Sequence, residues 1–426
     1  MRNDTPSTSR GQRTPIGIAY AATQVNATVF RVSSVTSAGP YQYAIYYDAD
    51  HRPVVARRQP DSRDSATWER VALPVRGNVR DAHNGPVIGV SADGIVHVAY
   101  DHHANPLHYR RTARPHDLRS FGDEVPMTGR NERRVTYPQF VSAPDGTLYF
   151  FYRDGASGNG SLCLNRYDAA KKEWRAVHHP LVDGEGKCNP YWWRPSIGPD
   201  GALHVAWCWR DTGDARTNHD VCHMRSKDRG ETWQSVEGKP VALPATRATA
   251  PVADPLPTGS NLINQCSSAV DDRGRPHLTH YHNDANGIPQ YIHLWHDGKR
   301  WVRNVVSRRT ARFTLGGGGT LKIPISRPEI AVAKNGTVCL VTRDAEAGGG
   351  VRLYRSRGRD YAAPWTATDI TAPGEDLGEW EPTYDAERLR RKGILSLFVL
   401  PVRQGNHETV TDNAPQEAFL LEMPLT

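Results

Sequence analysis

Residues 81–110 have the sequence DAHNGPVIGVSADGIVHVAYDHHANPLHYR, which predicts a short β-hairpin. Residues 87–90 and 95–100 form its two strands, and the turn between them contains Ala92, Asp93 and Gly94. A hairpin of this length returns the chain to the end of the sheet at which it started. The sequence therefore predicts that the segments on either side of the hairpin lie next to each other.

Two histidines, His83 and His103, occupy these flanking segments and are 20 residues apart. Asp and Asn residues surround both histidines, which is typical of loops, and loops at the edge of a sheet often carry function. Buried core histidines usually occur singly, so a purely structural role is the weaker alternative. We expect His83 and His103 to contact one ligand, with Asn84 beside them as a substrate-binding residue.

The hairpin turn recurs along the chain, and this repeat indicates the fold class. A turn glycine followed by alternating apolar residues occurs six times, 52 to 73 residues apart, at Gly94, Gly146, Gly201, Gly274, Gly336 and Gly393. An earlier unit at residues 46–53 is the seventh. Several units end at a tryptophan, namely Trp68, Trp174, Trp233, Trp301 and Trp365. Seven such units predict an all-β fold, a seven-bladed β-propeller.

A single catalytic propeller domain is expected over residues 16–426, and the polar residues 1–15 are predicted to be disordered. The last strand, residues 418–423, is expected to pair with N-terminal strands and close the ring. Residues 226–233 match the Asp-box Ser-x-Asp-x-Gly-x-Thr-Trp, in which the Asp bonds the backbone and the Trp packs between strands. This motif supports the propeller without defining an activity.

Composition argues against several classes of protein. The net charge is +7, from 53 basic and 46 acidic residues, which fits a polyanionic ligand. The basic residues are scattered and no nucleic-acid motif is present, so we expect no nucleic-acid partner. No apolar run could span a bilayer, so we expect no membrane partner. We also expect the protein to be a monomer. The six cysteines lack a Cys-x-x-Cys pattern and are expected to be small buried residues rather than a disulfide framework.

Two further candidates lie at strand ends. Pro138 predicts that Tyr137 lies at the edge of a strand, where it could have a functional role. The alternative is that Tyr137 is an ordinary aromatic residue within a strand. Arg153 follows an apolar strand and precedes a Gly-rich loop, where it is well placed to hold a carboxylate. The alternative for Arg153 is a structural ion pair with Asp154, and the sequence does not separate the two.

Aromatic residues that cluster with arginine suit stacking on sugar rings. Residues 189–195 and 207–211 contain such clusters and supply three candidates for substrate binding, Tyr191, Trp209 and Arg210. The alternative for these aromatic side chains is packing between blades. Further polar candidates lie later in the chain, at Asn264, Gln265, Tyr281 and His282.

Cysteine and histidine residues in adjacent units could bind a structural metal ion, because zinc takes such ligands. The candidates are Cys208, His219, Cys222 and His280, with His223 and His282 close to them in sequence. Their spacing matches no recognised zinc motif, and both residue types are common inside propellers. A structural zinc or calcium ion is therefore one expectation, and plain burial of these side chains is the other.

Taken together, these motifs resemble the BNR-type propeller family, which contains ulvan lyases and L-rhamnose-α-1,4-D-glucuronate lyases. The resemblance extends from about residue 20 to the C-terminus, and its motifs are Asp-x-His-Asn, Asp-x-His, Thr-Tyr-Pro-x-Phe, Tyr-Arg-Asp-Gly-x-Ser-Gly and Trp-x-Trp-Arg. It implies that four residues are catalytic, namely His83, His103, Tyr137 and Arg153. It also implies that Tyr191 and Arg210 contact a uronate.

The activity implied by this resemblance is that of a carbon–oxygen lyase acting on an acidic polysaccharide or oligosaccharide that contains rhamnose and uronic acid. Such an enzyme removes the C5 proton of the uronate and expels the O4 substituent, which leaves a C4=C5 double bond. Arg153 would neutralise the carboxylate. His83 or Tyr137 would be the base, and Tyr137 could supply a proton to O4. The chemistry requires no cofactor.

Members of this family are expected to be secreted or periplasmic. The N-terminus shows no apolar signal-peptide core, so the chain is expected to be either intracellular or already trimmed. A cytoplasmic enzyme that acts on a short imported oligosaccharide is compatible with this pattern.

Other functions fit the same sequence. An α-L-rhamnosidase on this scaffold would release rhamnose and leave a saturated uronate. A non-catalytic carbohydrate-binding propeller would need only the aromatic and arginine residues, and it leaves the set of His83, His103, Tyr137 and Arg153 unexplained. A sialidase would need three arginines and a Tyr–Glu pair, which cannot be placed here. A protein-interaction propeller rests on the fold alone.

Overall fold

A computed structural model describes residues 11–362 and 364–425 of the chain. Its strands form seven antiparallel sheets that are arranged as the blades of a β-propeller, as the repeat of hairpin turns predicts. The short turns and the alternation of apolar residues explain this arrangement, because each repeat buries its faces only against the neighbouring repeats.

Residues 11–362 and 364–425 form 29 strands, one α-helix and five short 3-10 helices. The strands, in chain order, are β1 (Gln12–Ala19), β2 (Val35–Ala38), β3 (Tyr41–Tyr47), β4 (Pro53–Arg58), β5 (Glu69–Ala72), β6 (Val87–Val90), β7 (Val96–Ala99), β8 (His103–Asn105), β9 (Tyr109–Arg111), β10 (Val135–Ser142), β11 (Leu148–Ala156), β12 (Asn159–Asp168), β13 (Glu173–Asp183), β14 (Asn189–Trp192), β15 (Ser196–Ile197), β16 (Leu203–Arg210), β17 (Asn218–Ser226), β18 (Val252–Asp254), β19 (Ser267–Val270), β20 (Pro276–Asn283), β21 (Pro289–His296), β22 (Trp301–Val305), β23 (Glu329–Val332), β24 (Val338–Arg343), β25 (Val351–Arg355), β26 (Thr366–Asp369), β27 (Thr383–Tyr384), β28 (Ile394–Val399) and β29 (Gln416–Pro424). The helix is α1 (Ala386–Lys392), and the 3-10 helices are Gln24–Asn26, Ala82–Asn84, Leu118–Ser120, Ala215–Thr217 and Ala345–Ala347.

The blades follow one another in chain order. They consist of β2 to β5, then β6, β7 and β9, then β8 with β10 to β13, then β14 to β18, β19 to β22, β23 to β26, and finally β27 to β29 with β1. Contacts join the first strands of neighbouring blades, as between β2 and β6, β6 and β10, and β19 and β23. The first strand of each blade therefore faces the middle of the ring, where residues distant in sequence meet.

Ring closure joins the two ends of the described chain. Strand β1 pairs antiparallel with β29, from Gln12 opposite Glu422 to Ala19 opposite Gln416. The predicted closure by N- and C-terminal strands is confirmed. Because β1 begins at Gln12, the boundary predicted for the disordered segment 1–15 is too late by residues 12–15, while residues 1–10 lie outside the described part of the chain.

Five of the six predicted turn glycines have positive φ, as at Gly94 (77°) and Gly201 (79°), and lie in the turns β6–β7, β10–β11, β15–β16, β19–β20 and β23–β24. A left-handed backbone is available to glycine without a steric penalty, which explains the residue type. Gly393 differs, because it ends α1 at φ 69° instead of forming a hairpin turn. The unit at residues 46–53 contains the turn between β3 and β4, so it occurs one strand later in its blade than the turn glycines do in theirs.

Two local predictions are confirmed. In the Asp-box, Asp228 accepts hydrogen bonds from the backbone N–H of Thr232 at 2.9 Å and from its hydroxyl at 2.6 Å, and Trp233 is buried. All six cysteines are buried and free. Among the described residues, no helix has the length and apolar character needed to cross a membrane.

The closing strand generates a stability prediction, because Ile16, where the pairing of β1 with β29 is irregular, is 0% exposed, while Ile18 is 55% exposed. Replacing Ile16 with Ala should lower the free energy of unfolding by about 2–5 kcal/mol through lost packing and a cavity. The control Ile18→Ala should change the free energy of unfolding by less than about 0.5 kcal/mol. Guanidinium unfolding of both variants measures this difference. Equal losses would show that β1 does not close the ring in this register.

Candidate active site

One cavity near the middle of the ring contains most of the residues that the sequence singled out. Six of them line it together, namely His83, His103, Tyr137, Arg153, Tyr191 and Arg210. They come from the 3-10 helix Ala82–Asn84 and from β8, β10, β11, β14 and β16, which belong to three consecutive blades. All four predicted catalytic residues and two predicted substrate-binding residues are thus brought together.

The hairpin β6–β7 places His83 and His103 side by side. Their rings stack with centroids 4.0 Å apart, and both Nδ1 atoms contact one carboxylate, that of Asp81, at 2.6 Å and 2.5 Å. His103 does not lie in a loop as predicted, because β8 leaves its own blade and pairs with β10 of the next, with His103 opposite Thr136. This crossing brings the histidine pair next to Tyr137.

Asp81 determines the chemical form of both rings. A carboxylate accepts hydrogen bonds, so each histidine donates from Nδ1 and keeps Nε2 for a ligand. Burial raises the pKa of Asp81, but hydrogen bonds from His103 and His83 outweigh it and hold the pKa well below its usual range. Burial lowers the pKa of His83, and the Asp81 carboxylate offsets this only in part. His83 is therefore a neutral imidazole at neutral pH.

Tyr137 has an unusual backbone. Its φ is +55°, in the left-handed region that side chains other than glycine rarely adopt. The pairing of β10 with β11 is interrupted between Thr136 and Gln139, which frees this position from the regular ladder, and Pro138 cannot donate to the ladder. Such strain is concentrated at functional positions. The Tyr137 ring lies 5.6 Å from the ring of His83.

The two tyrosines of the cavity differ in acidity. Burial raises the pKa of Tyr137, and the neighbouring Tyr191 raises it further. Burial also raises the pKa of Tyr191, but the guanidinium groups of Arg210 and Arg153 outweigh burial and lower it. The Tyr191 hydroxyl lies 3.0 Å from the Ser157 hydroxyl and accepts from Arg210 at 3.2 Å, whereas the Tyr137 hydroxyl has no such partner among the described residues.

Arg153 is a buried cation without an acidic partner among the described residues. Its side chain is 1% exposed, one nitrogen donates to the Thr136 hydroxyl at 3.0 Å, and Nε and Nη1 have no partner. Asp154, the alternative partner, accepts from Asn131 at 2.8 Å and lies 3.9 Å from Arg134. A buried charge is costly unless it is paired, so this guanidinium is set to receive an anion.

Arg210 is a second cation that lacks a carboxylate partner in the described part of the chain. It donates to Asn218 at 2.7 Å and to Asn264 at 2.8 Å, and its guanidinium lies 4.3 Å from the centre of the Tyr191 ring. Neutral amide partners orient the side chain and leave its charge uncompensated. Together with Arg153 it gives this wall of the cavity a positive field.

The cavity also contains residues that the sequence did not single out as site residues. Glu381 is the only acid among the described lining residues, and Arg327 donates to it at 2.9 Å. Asp81 was visible in the motif Asp-Ala-His, where an Asp two residues before His can cap the 3-10 turn, as it does here. Arg327 and Glu381 had no local signal, because they come from later blades and meet the site only through ring closure.

Four predicted substrate-binding residues do not line the cavity. Asn84 is buried and donates to the Asn78 carbonyl at 2.8 Å, and Trp209 packs against Trp207 in the core. Tyr281 is 0% exposed and packs edge-on against Phe313. His282 is also buried, away from the cavity. Trp209, Tyr281 and His282 lie on strands, where neighbouring residues point to opposite faces, and their side chains point away from the cavity. Of the other polar candidates, Asn264 and Gln265 do line it.

The predicted metal set does not come together. Cys208 and Cys222 are buried strand residues, and His219 contacts Asp220 at 2.9 Å and Asp211 at 3.2 Å. Among the described residues, two other groups have the proximity of metal ligands: Asp81 with His83 and His103, and Asp254 with His280 and His282. Only His280 of the predicted four belongs to either group.

The cavity therefore combines a neutral imidazole, a protonated phenol and two unpaired guanidinium groups. The cations can hold a carboxylate and stabilise negative charge that develops next to it. The imidazole can accept a proton and the phenol can donate one. The arrangement is suited to moving protons on an anionic ligand.

Comparison with known proteins identifies relatives of this chain. Residues 41–309 match the family described as BNR repeat-containing family member. An ulvan lyase from Alteromonas sp. (strain LOR) is 26% identical over 263 residues, which cover 53% of this chain and 53% of that protein. The chain thus spans about half the length of the curated relatives it matches.

Solved structures share the fold. The crystal structure of polysaccharide lyase Uly1 superposes with a TM-score of 0.69 at 15% identity and covers 99% of this chain and 98% of that one. A PL25 ulvan lyase bound to -[GlcA(1-4)Rha3S]- has a TM-score of 0.67 at 14% identity, with coverage of 95% and 100%. At these identities the likeness establishes the propeller fold.

Because the charge of Arg153 has no acidic partner in the described structure, replacing Arg153 should not lower the free energy of unfolding. Arg153→Met should leave the free energy of unfolding unchanged or raise it by about 1 kcal/mol, because it removes an uncompensated buried charge. The control is Arg194→Met, since Arg194 is also buried but pairs with the fully buried Glu329 at 3.2 Å. That variant should lose about 3–5 kcal/mol. Chemical unfolding measures both, and a large loss for Arg153→Met would mean that Arg153 is structural.

Proposed function

The chain belongs to the BNR repeat-containing family, and from this premise we propose that it is a polysaccharide lyase. It cleaves the 1,4-linkage between rhamnose and a uronate by β-elimination and leaves a C4=C5 unsaturated uronate. The observation that carries this proposal is the buried guanidinium of Arg153, which has no acidic partner in the described structure and lies 4.9 Å from the centre of the Tyr137 ring.

The substrate carboxylate binds Arg153. Removal of the C5 proton places negative charge on the carbon next to the carboxylate, and that charge spreads onto the carboxylate oxygens. A preorganised cation in a buried site stabilises this charge more effectively than water does. Arg210, whose guanidinium lies over the Tyr191 ring, adds a second positive charge on the same wall.

His83 is the base that takes the C5 proton. Its pKa is lowered by burial, so the ring is neutral and Nε2 carries a lone pair. The Asp81 carboxylate at 2.6 Å from Nδ1 stabilises the imidazolium that forms. His103, stacked at 4.0 Å on His83 and bound to the same carboxylate, fixes the plane of the base.

Tyr137 is the acid that protonates the leaving O4. Its raised pKa keeps the phenol protonated, and its hydroxyl is free for a substrate oxygen. In glucuronate, H5 and O4 lie on the same side of the ring, so a single group could serve as both base and acid. In iduronate they lie on opposite sides, and two groups are needed. The acidities of His83 and Tyr137 support a division of the two roles between them.

The substrate is an acidic polysaccharide or oligosaccharide that contains rhamnose and uronic acid. Relatives named ulvan lyase, and the solved propeller lyase bound to -[GlcA(1-4)Rha3S]-, support this class. The net charge of +7 supports a polyanionic substrate as well. Hydrolysis by an α-L-rhamnosidase is less well supported, because glycoside hydrolases generally use a pair of carboxylates. Among the described lining residues only Glu381 is acidic, and Arg327 binds it.

Two substitutions test the assignment of roles. Tyr137→Phe and Arg153→Met should each lower kcat/KM by about 100-fold or more, because each removes a group that acts in the transition state. The control Tyr281→Phe removes a hydroxyl that the sequence also suggested but that lies outside the cavity, and it should retain activity. Ultraviolet absorbance of the conjugated double bond during incubation with ulvan follows the reaction.

Near-normal activity of Tyr137→Phe or Arg153→Met would contradict these roles. If the unchanged protein released free rhamnose from a rhamnose–glucuronate substrate without any rise in absorbance, the reaction would be hydrolysis and the lyase proposal would fail.

The acidity of His83 predicts the pH dependence. The base works only when neutral, and burial lowers the pKa of His83 below the ordinary value of 6.5. As pH falls, the decline of kcat/KM should therefore be centred below pH 6.5, because kcat/KM reports groups of the free enzyme. Steady-state rates between pH 4 and pH 9 check this expectation. An acid limb centred above pH 6.5 would exclude His83 as the base.

A further inference from the structure

A second group of ligand-type side chains lies between two blades, outside the cavity described above. Asp254 ends β18 in the fourth blade, and His280 and His282 lie on β20 in the fifth. One ligand atom from each residue lies within 4.8 Å of the others. The three residues are 4%, 0% and 7% exposed, and none of them lines the cavity.

The histidine nitrogens of this group lack partners. Neither Nδ1 nor Nε2 of His280 has a hydrogen bond within the described structure, and the same holds for Nε2 of His282. A buried polar atom that stays unsatisfied destabilises the fold, so one unpaired nitrogen from each ring calls for an occupant between them. The nitrogen atoms belong to the residue type that most often binds metal ions.

Both rings are in the form that binds a cation. Neither nitrogen of His280 has a hydrogen bond within the described structure, so one of them can present its lone pair to a cation. The Nδ1 atom of His282 lies 3.1 Å from the Asn283 carbonyl oxygen, to which it must donate. The lone pair of His282 is therefore on Nε2, as a ligand requires.

Asp254 completes the set and has its own outer partner. Arg303 donates through Nε to Oδ2 of Asp254 at 3.1 Å and through Nη2 to Oδ1. A carboxylate has about four acceptor positions, so Oδ2 can still bind a cation. Nε2 of His280 lies 3.8 Å from this Oδ2. Ligands of a tetrahedral zinc ion are about 3.3 Å apart, so this pair needs to close by only about 0.5 Å.

The other candidate group behaves differently. In the group of Asp81, His83 and His103, both Nδ1 atoms already contact the carboxylate at 2.6 Å and 2.5 Å, and the site is partly exposed. Those residues are accounted for by the proposed reaction. The group of Asp254, His280 and His282 has no such explanation, since three of its four ring nitrogens are unsatisfied and its carboxylate is not hydrogen-bonded to them.

We propose that Asp254, His280 and His282 bind one zinc-type divalent cation that joins the fourth and fifth blades. Two imidazoles and a carboxylate are a ligand set that zinc accepts, and water fills the fourth position. Strands β18 and β20 belong to different sheets, so this cation would add a direct link between neighbouring blades. Its role is structural, and it is independent of the proposed reaction.

Metal content tests this proposal. The full chain, purified without an affinity tag, is analysed by elemental mass spectrometry, stripped with dipicolinate, and titrated with zinc chloride in equilibrium dialysis. We expect about one tightly bound zinc per chain and a higher midpoint of thermal unfolding when zinc is restored. His280→Ala, His282→Ala and Asp254→Asn should each abolish stoichiometric binding. The control His219→Ala should bind zinc normally, because Asp211 and Asp220 occupy both nitrogens of His219.

Three results would overturn the proposal: no zinc binding by the stripped protein, binding that is unchanged in the His280 variant, or equal loss in the His219 control. Circular dichroism of each variant shows whether it is folded. Should the alanine variants fail to fold, Asp254→Asn, which keeps the shape of the side chain, and the stripped unaltered protein still decide the matter. Lyase activity does not enter any of these readouts.

Discussion

The cavity is organised around a cation that nothing in the described structure neutralises. The guanidinium of Arg153 is 1% exposed, and its only hydrogen bond is to the Thr136 hydroxyl. Burying such a charge opposes folding, so the surrounding blades must supply the stability that retains it. The ring of Tyr137 below the guanidinium gives partial compensation through its π face. Under the proposed function, a substrate carboxylate supplies the rest, which would couple substrate binding directly to the least favourable feature of the free protein.

The propeller makes this arrangement possible because it brings strand ends from separate repeats to one place. The short strand β8 crosses from the second blade to the third and sets His103 opposite Thr136, directly before Tyr137. Ring closure between β1 and β29 then holds the later blades in position, and with them Arg327 and Glu381 on the far wall.

Local features were predictable from the sequence, and long-range ones were not. The hairpin at residues 87–99, the turn glycines and the juxtaposition of His83 with His103 follow from strand alternation and turn chemistry, which act over a few residues. Tyr281 and His282 do not line the cavity, and a sequence does not show which face of a strand meets the axis and which meets the next blade. The predicted metal ligands do not come together either, because they were chosen for closeness in sequence, whereas Asp254 and His280 meet across two blades.

A crystal structure of the Tyr137→Phe variant with a bound rhamnose–glucuronate oligosaccharide would show whether Arg153 receives the substrate carboxylate. We expect a carboxylate oxygen within hydrogen-bonding distance of Nε or Nη1 of Arg153, the two nitrogens that are unpaired in the free protein. We also expect Nε2 of His83 to face C5 of the same sugar. A carboxylate bound elsewhere, with Arg153 still unpaired, would show that Arg153 does not have this role.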